Sequence, residues 1–465
     1  MNKVKINDET RFRILSLLSS GRSTADVCRE LGISSKQVAA IKAHQTMGSY
    51  GPRHSVPRPT AENKKHLASP PAEDRRFPDC EVLPDQNWTA IPLGYDSAMK
   101  APVRWDPHPK AGTANPHLMI VGESGFGKTY AIQCIVAELV ARRIRPIIID
   151  FGRGFDLESA PRQFIDLARP QEVSASQQGI NLNPLQIHAG DSNGPINVAV
   201  RVADCFGRVY RIGVQQHALL RDLIIELFAD FGIVRAEPST WDQRGPSCSD
   251  LNEKLKSIAS SQVDKRAGKA PGLKSHISTF FLFDTFRDSG VHVNWESLGQ
   301  SSSSTLIIQL KGLEDRTQKV VTEFLLWDLY HHLRRRGPHN LDCYCVLDEA
   351  HNLSFSSDGP IDKLVREARK FGLGLILASQ QPTDFGRTVF GNTASKLVFQ
   401  TFDQGNRLSR QLANKCIVRT DPEVLAGDIA RLQKGEALFF ANNQISKLKI
   451  TPLPKRALVY DHQRS

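Results

Sequence analysis

The chain has no run of about 18 or more consecutive apolar residues, the length a membrane-crossing helix needs, so no helical membrane span is expected. Its opening, MNKVKINDETR, is charged and lacks the apolar core of an export signal, and the expected location is the cytoplasm. Paired cysteine spacing is missing too. The eight cysteines (Cys28, Cys80, Cys134, Cys205, Cys248, Cys343, Cys345 and Cys416) are scattered, which fits reduced thiols rather than a disulfide framework. Cys343 and Cys345 flank Tyr344 in an apolar run with no second Cys/His pair to answer them, so buried strand positions are expected, not metal ligands. Nor is there an excess of acid. Lys and Arg number 60 against 49 Asp and Glu, a formal net charge of +11, and a surplus of that sign favours an anionic partner such as nucleic acid.

What is present is length and apolar content. With 465 residues, 40% of them hydrophobic, the chain can bury a sizeable core, in one large domain with appendages or in several. Three zones follow. Residues 1–47 read as a small all-α helix-turn-helix domain. Phe12, Ile14, Leu15 and Leu18 line one helix. Ser23-Thr24 opens a second helix through Val27, Cys28 and Leu31, and Gly32 breaks it. A third helix, capped by a serine, turns Val38, Ala39 and Ile41 inward. Ser35, Lys36, Gln37 and Lys42 would then face a DNA major groove, and a helical protein-interaction domain of the same shape is the alternative. Residues 48–85, with seven prolines between Pro52 and Pro84 and interspersed Arg and Lys, read as a flexible basic linker. From residue 86 to 465, apolar runs alternate with amphipathic stretches. That is the pattern of an α/β domain whose mostly parallel sheet is covered by helices.

The stretch His117-Leu-Met-Ile-Val121 reads as a buried strand, GESGFGKT follows at once, and residues 130–141 have helical periodicity. Glycines at 122, 125 and 127 let successive backbone N–H groups turn toward one point, and the helix behind adds positive potential, so the loop is built for phosphate. Gly122, Glu123, Ser124, Gly125, Phe126, Gly127, Lys128, Thr129 and the following Tyr130 are the expected nucleotide-contacting residues. Lys128 would reach the β- and γ-phosphates and Thr129 would offer its hydroxyl to Mg²⁺.

A phosphate loop of this kind needs an acid from a neighbouring strand. Cys343-Tyr-Cys-Val-Leu347 is such a strand and ends in Asp348-Glu349. Asp348 would hold Mg²⁺ through its water shell, and Glu349 would polarise the attacking water as a general base. Two further runs, 145–149 ending at Asp150 and 373–378 ending at Ser379-Gln380, should open on the same crevice, where Gln380 could sense the γ-phosphate or orient water.

GESGFGKT, IIIDFG at 147–152, LDEAHN at 347–352, REARKFGLGLILASQQPTDF at 366–385 and LQKGEALF at 432–439 together resemble the HerA/FtsK superfamily of P-loop motors over residues 90–455. Within it, IPLGYD at 91–96 and NPHLMIVGESGFGKT at 115–129 are similar to HerA-like ATPases of bacterial DNA-modification and defence cassettes, the DptH type included. The resemblance implies a RecA-like P-loop NTPase fold and an ATP- and Mg²⁺-dependent hexameric ring that moves double-stranded DNA, often beside a nuclease or modification enzyme. It assigns the Walker A roles to Lys128 and Thr129, the Walker B roles to Asp348 and Glu349 and the sensor role to Gln380. Arg369 takes the position of an arginine finger acting across subunits, with Arg366 as the alternative.

There are departures from the family. A helix-turn-helix stands where HerA proteins carry a barrel, and Gln400 replaces an expected arginine. A mainly helical insertion is expected at about 207–300, beginning with one long helix in FGRVYRIGVQQHALLRDLIIELF. Basic groups at Arg334-Arg335-Arg336 and at Lys254, Lys256, Lys265, Arg266 and Lys269 are candidates for following a phosphate backbone. Two functions remain open from sequence: a DNA translocase or helicase-like motor, and an ATP-dependent switch that controls DNA binding by the helix-turn-helix.

Overall fold

The computed structural model describes residues 24–31, 38, 90–108, 114–152, 154–295, 304–356 and 358–456, and the chain divides into two compact units, Met1–Glu81 and Val82–Ser465. In the first unit, Thr24–Leu31 forms a helix where the sequence places one, with Val27 buried and Arg29 paired to Asp26 across one turn. Apart from the buried Val38, the rest of the expected helix-turn-helix, including Ser35, Lys36, Gln37 and Lys42, and the linker at 48–85 lie outside the described residues.

The second unit is organised by its apolar runs. Its strands are β1 (Ile91–Asp96), β2 (Pro102–Trp105), β3 (Leu118–Val121), β4 (Arg145–Asp150), β5 (Pro170–Ser174), β6 (Ile180–Asn181), β7 (Val291–His292), β8 (Thr305–Gln309), β9 (His339–Leu347), β10 (Phe371–Ser379), β11 (Ser395–Val398), β12 (Glu436–Ala441) and β13 (Gln444–Ile450). All but β6 and β7 join one eleven-stranded sheet in the order β2-β1-β13-β12-β11-β3-β10-β9-β4-β8-β5. From β11 to β5 every neighbouring pair is parallel, whereas β12, β13, β1 and β2 extend the sheet antiparallel beyond β11.

The parallel strands read as unbroken apolar runs because both faces are covered. Alternation assigns each residue to one face. Met119, Val121, Ile147, Ile149, Cys343, Cys345 and Leu347 enter one core, and Leu118, Ile120, Ile148, Tyr344 and Val346 enter the other. Cys343 and Cys345 are thus buried strand residues, as the sequence predicts. The helix Lys128–Ala141 supplies Ala131, Ile132, Ile135 and Leu139 to the second core, where few of its residues meet solvent. The opposite face is covered by the helix Asp315–Arg336 and by a helical region between β6 and β8.

That helical region differs from expectation at its start. FGRVYRIGVQQHALLRDLIIELF is two helices, the end of Pro195–Tyr210 and the start of Val214–Asp230. Arg211 closes the first in the left-handed conformation (φ 53°), and extended Gly213, whose N–H donates to the Gln216 side chain at 3.2 Å, opens the second. Helices Cys248–Ser260 and Ala270–Leu282 complete the region. Phe206 lies edge-on to Phe280 with ring centroids 5.0 Å apart, and both pack against Phe324 of the helix Asp315–Arg336, which locks the helical region to the sheet layer.

Candidate functional site

The loop after β3 is stitched to the ends of its two neighbours. Gly122 N–H donates to the Ser379 carbonyl of β10 at 3.3 Å, and Glu123 N–H donates to the Gln400 carbonyl just past β11 at 2.7 Å. A Cβ at Gly122 would fall 2.5 Å from the Phe399 Cβ, so no larger residue fits where the loop leaves the strand. Gly125 (φ 86°) and Gly127 (φ 110°) then take the left-handed turns that curl the loop over the N-terminus of the helix Lys128–Ala141.

Inside this curl lies Lys128, 6% exposed, with its Nζ donating to the Glu123 carbonyl at 3.1 Å. Burial lowers its pKa, while Asp348, Glu349 and Glu123 act in the opposite sense. Thr129 Oγ1 donates to Asp348 Oδ2 at 3.0 Å, which joins the loop to the acid at the end of β9. Asp348 is itself 6% exposed, and burial, reinforced by the neighbouring Glu349 charge, pushes its pKa up to about 6. Glu349 adopts a left-handed backbone (φ 56°), and Gln380 Nε2 donates to its Oε2 at 3.3 Å. The fold therefore brings Lys128, Thr129, Asp348, Glu349 and Gln380 together at the carboxyl ends of β3, β9 and β10.

The strand that carries the acids is not the direct neighbour of β3. β10 intervenes, pairing Ala378 with Ile120 on one side and Leu377 with Leu347 on the other. Strand β10 thus touches both β3 and β9, and Gln380, one residue past its end, reaches Glu349.

Asp150, the other acid at a strand end, is fully used by the fold. It accepts from Gly152 N–H at 3.0 Å, Phe155 N–H at 3.2 Å and Gln309 Nε2 at 2.8 Å. The turn it organises places Gly154 so that a Cβ there would lie 2.8 Å from Thr129 Cγ2, and Gln133 Nε2 holds the Gly154 carbonyl at 2.8 Å. Gly435 of the LQKGEALF segment donates its N–H to the Phe126 carbonyl at 3.0 Å and braces the loop from outside. Gly154, Gln133 and Gly435 thus join the site beside the residues expected from sequence. The two glycines carry only the signal of a glycine close after a strand end or before a strand start, and Gln133, inside a helix, carries none.

Other expected site residues lie elsewhere. The Tyr130 hydroxyl accepts from Leu453 N–H at 2.9 Å, so it serves the C-terminal segment. Ser124 is exposed at the loop tip and Phe126 packs into the second core. Arg369 lies in the short 3-10 turn Ala368–Lys370 that leads into β10, at the opposite end of that nine-residue strand from Gln380. At about 3.3 Å per residue the two are roughly 30 Å apart. Its exposed guanidinium donates to the Ala114 carbonyl, and Arg366 pairs with Asp362 at 3.0 Å. Neither enters this chain's own crevice. Among the basic groups, Lys254, Lys256, Arg266 and Arg336 are paired with Asp230, Glu253, Glu226 and Asp342 respectively, whereas Lys265 and Lys269 are exposed.

No protein-family model matches the chain. A 105-residue segment is 28% identical to the DNA double-strand break repair helicase HerA of Sulfolobus acidocaldarius, spanning 21% of this chain and only 20% of that protein. The structure of VirB4 of Thermoanaerobacter pseudethanolicus superposes with a TM-score of 0.64 over 80% of this chain and 98% of that one, at 18% identity. The chain has the RecA-like P-loop fold of VirB4. The plasmid coupling protein TrwB in complex with ADP and Mg²⁺ superposes with a TM-score of 0.50 over 78% of this chain and 91% of that one, at 15% identity. In this fold the glycine loop, the Thr129–Asp348 pair and Gln380 occupy the crevice above the parallel strands, where ligands of open α/β sheets bind. Among the described residues, no helix is long and apolar enough to cross a membrane.

Proposed function

We propose that the chain is an ATP-hydrolysing DNA motor of the translocase or helicase type, working as a ring on double-stranded DNA. One observation carries this reading: the Thr129 hydroxyl and the Asp348 carboxylate meet at 3.0 Å beneath a glycine loop that presents Lys128, with Glu349 one residue further on. A hydroxyl and a carboxylate suit a hard cation such as Mg²⁺, which takes oxygen ligands and keeps phosphate and water for the rest of its shell. Bound there, Mg²⁺ would neutralise charge on the terminal phosphates of ATP.

The chain's own residues account for the remainder. Loop N–H groups and Lys128 bind the phosphates, Glu349 accepts a proton from the attacking water, and Gln380 fixes where that carboxylate points. A carboxylate placed to activate water favours turnover over a nucleotide-gated switch. The net charge of +11 and the similarity to HerA support DNA as the partner. A ring, a finger supplied by Arg369 to the adjoining subunit, and a nuclease or modification partner complete the proposal. Steady-state ATP hydrolysis measured with and without duplex DNA tests it. DNA should stimulate turnover several-fold, and Lys128→Ala and Glu349→Gln should each lower kcat by about 100-fold or more. A rate indifferent to DNA, alongside DNA binding gated by nucleotide, would favour the switch instead.

A further inference from the structure

One contact at this site belongs to no role so far assigned. His351, three residues beyond Asp348 and at the surface, places its Nδ1 3.2 Å from Glu349 Oε2. Gln380 Nε2 reaches the same oxygen at 3.3 Å. Two side chains from different strand ends therefore converge on Oε2, and among the described residues none approaches Oε1. We propose that His351 is a positioning residue for the hydrolytic step, and this rests on Glu349 acting as the general base. His351 and Gln380 together pin Oε2, which fixes the carboxylate rotamer and leaves Oε1 as the lone acceptor turned toward a water.

The physical need for a second clamp is visible in the backbone. Glu349 sits in the left-handed region (φ 56°, ψ 50°), held by its own N–H donating to Asp348 Oδ1 at 2.9 Å. That fixes the Cα, but the side-chain torsions beyond it are free to rotate, and a half-exposed glutamate loses rotamer entropy on being held. Gln380 alone is a flexible donor at the long end of hydrogen-bond range. An imidazole on the short turn Ala350–Asn352 is carried by the same backbone as Glu349, so its ring starts from a fixed position beside the base. The turn itself is closed by Asn352 N–H donating to the Glu349 carbonyl at 2.9 Å.

The test compares wild type, His351→Ala and His351→Asn in steady-state ATP hydrolysis with Mg²⁺, and repeats His351→Ala in a Glu349→Gln background. Asn keeps a donor at the Nδ1 position. His351→Ala should lower kcat about tenfold with KM for ATP unchanged, and Asn should restore most of the loss. In the Glu349→Gln background the same change should have no further effect, because the residue acts only through the carboxylate. Equal kcat in His351→Ala and wild type, a change in KM alone, or a tenfold loss that persists in the Glu349→Gln background would each overturn the assignment. Should Glu349→Gln itself retain full turnover, the general-base reading fails, and that result is separate from any effect of His351. Thermal melting of each variant shows that the comparison is between folded proteins, as the exposure of His351 leads one to expect.

Discussion

Thr129 and Asp348 stand 219 residues apart in sequence and 3.0 Å apart in the fold, and each is readable alone only as a loop hydroxyl and a strand-end acid. What made them legible was context: apolar runs before each, glycines around one and a second acid beside the other. Lys396 has no such signal. It lies in β11 with no exposure, its Nζ donating to the Thr393 carbonyl at 2.5 Å and lying 4.7 Å from the Phe390 ring centre, with no carboxylate among these contacts. Burial, with the nearby Lys415 charge, pushes its pKa down from 10.5 to about 7. The folded state thus holds this proton less tightly than the unfolded chain. Between about pH 7 and pH 10.5 unfolding takes up a proton here, and the stability contributed at this position rises with pH. Wild type should accordingly gain about 2 kcal/mol relative to Lys396→Met between pH 7 and pH 9. Urea denaturation of both proteins at the two pH values measures it, and a difference independent of pH would mean that the amine stays charged when buried.

At the scale of elements, the helix Lys128–Ala141 does two things at once. Its first turn carries Lys128 and Thr129, proposed to bind phosphate and Mg²⁺, and Tyr130, Cys134 and Glu138, spaced by four along one side, receive the C-terminal segment 451–456. Glu138 is buried between Arg456 at 2.6 Å and Arg142 at 2.6 Å, and Arg456 also donates to the carbonyls of Pro92 and Leu93, which ties β1 to the helix. Breaking a buried pair leaves a charge in a medium that cannot solvate it. Arg456→Met should therefore cost about 3 kcal/mol in urea unfolding, and Glu138→Gln should cost as much by removing the carboxylate that faces the guanidinium of Arg456, which is 3% exposed. A loss below about 0.5 kcal/mol in both would show that the clip is ornamental to stability. Elements of this kind mark the limit of sequence reading. The buried parallel strands and the phosphate loop follow from local pattern, because period and glycine placement are local properties. The insertion of β10 between β3 and β9, the antiparallel run β12-β13-β1-β2, the break at Arg211–Gly213 and the approach of Gly154 and Gly435 to the loop are set by packing between distant segments. No neighbouring residue announces them.

For the whole molecule, the sheet has two ends with different work. Its carboxyl edge gathers the residues proposed to bind and hydrolyse ATP, and its amino edge carries Arg369, exposed and resting on the Ala114 carbonyl. A guanidinium roughly 30 Å from its own crevice can serve catalysis only at another copy's crevice, so any finger role requires assembly, and the proposed ring supplies the geometry. That makes the prediction one of complementation. Arg369→Ala and Lys128→Ala chains should each hydrolyse ATP at a small fraction of the wild-type rate. Mixed in equal amounts, they form interfaces where an intact Lys128 site meets an intact Arg369, and activity above the sum of the two should return in proportion to such interfaces. The Ala114 contact adds a second constraint: removing Arg369 should leave the melting temperature within a few degrees, since an exposed hydrogen bond contributes little. Mixtures that stay at the sum of their parts while both proteins remain folded would remove Arg369 from the mechanism and turn attention to Arg366, whose pairing with Asp362 at 3.0 Å would then have to open on assembly.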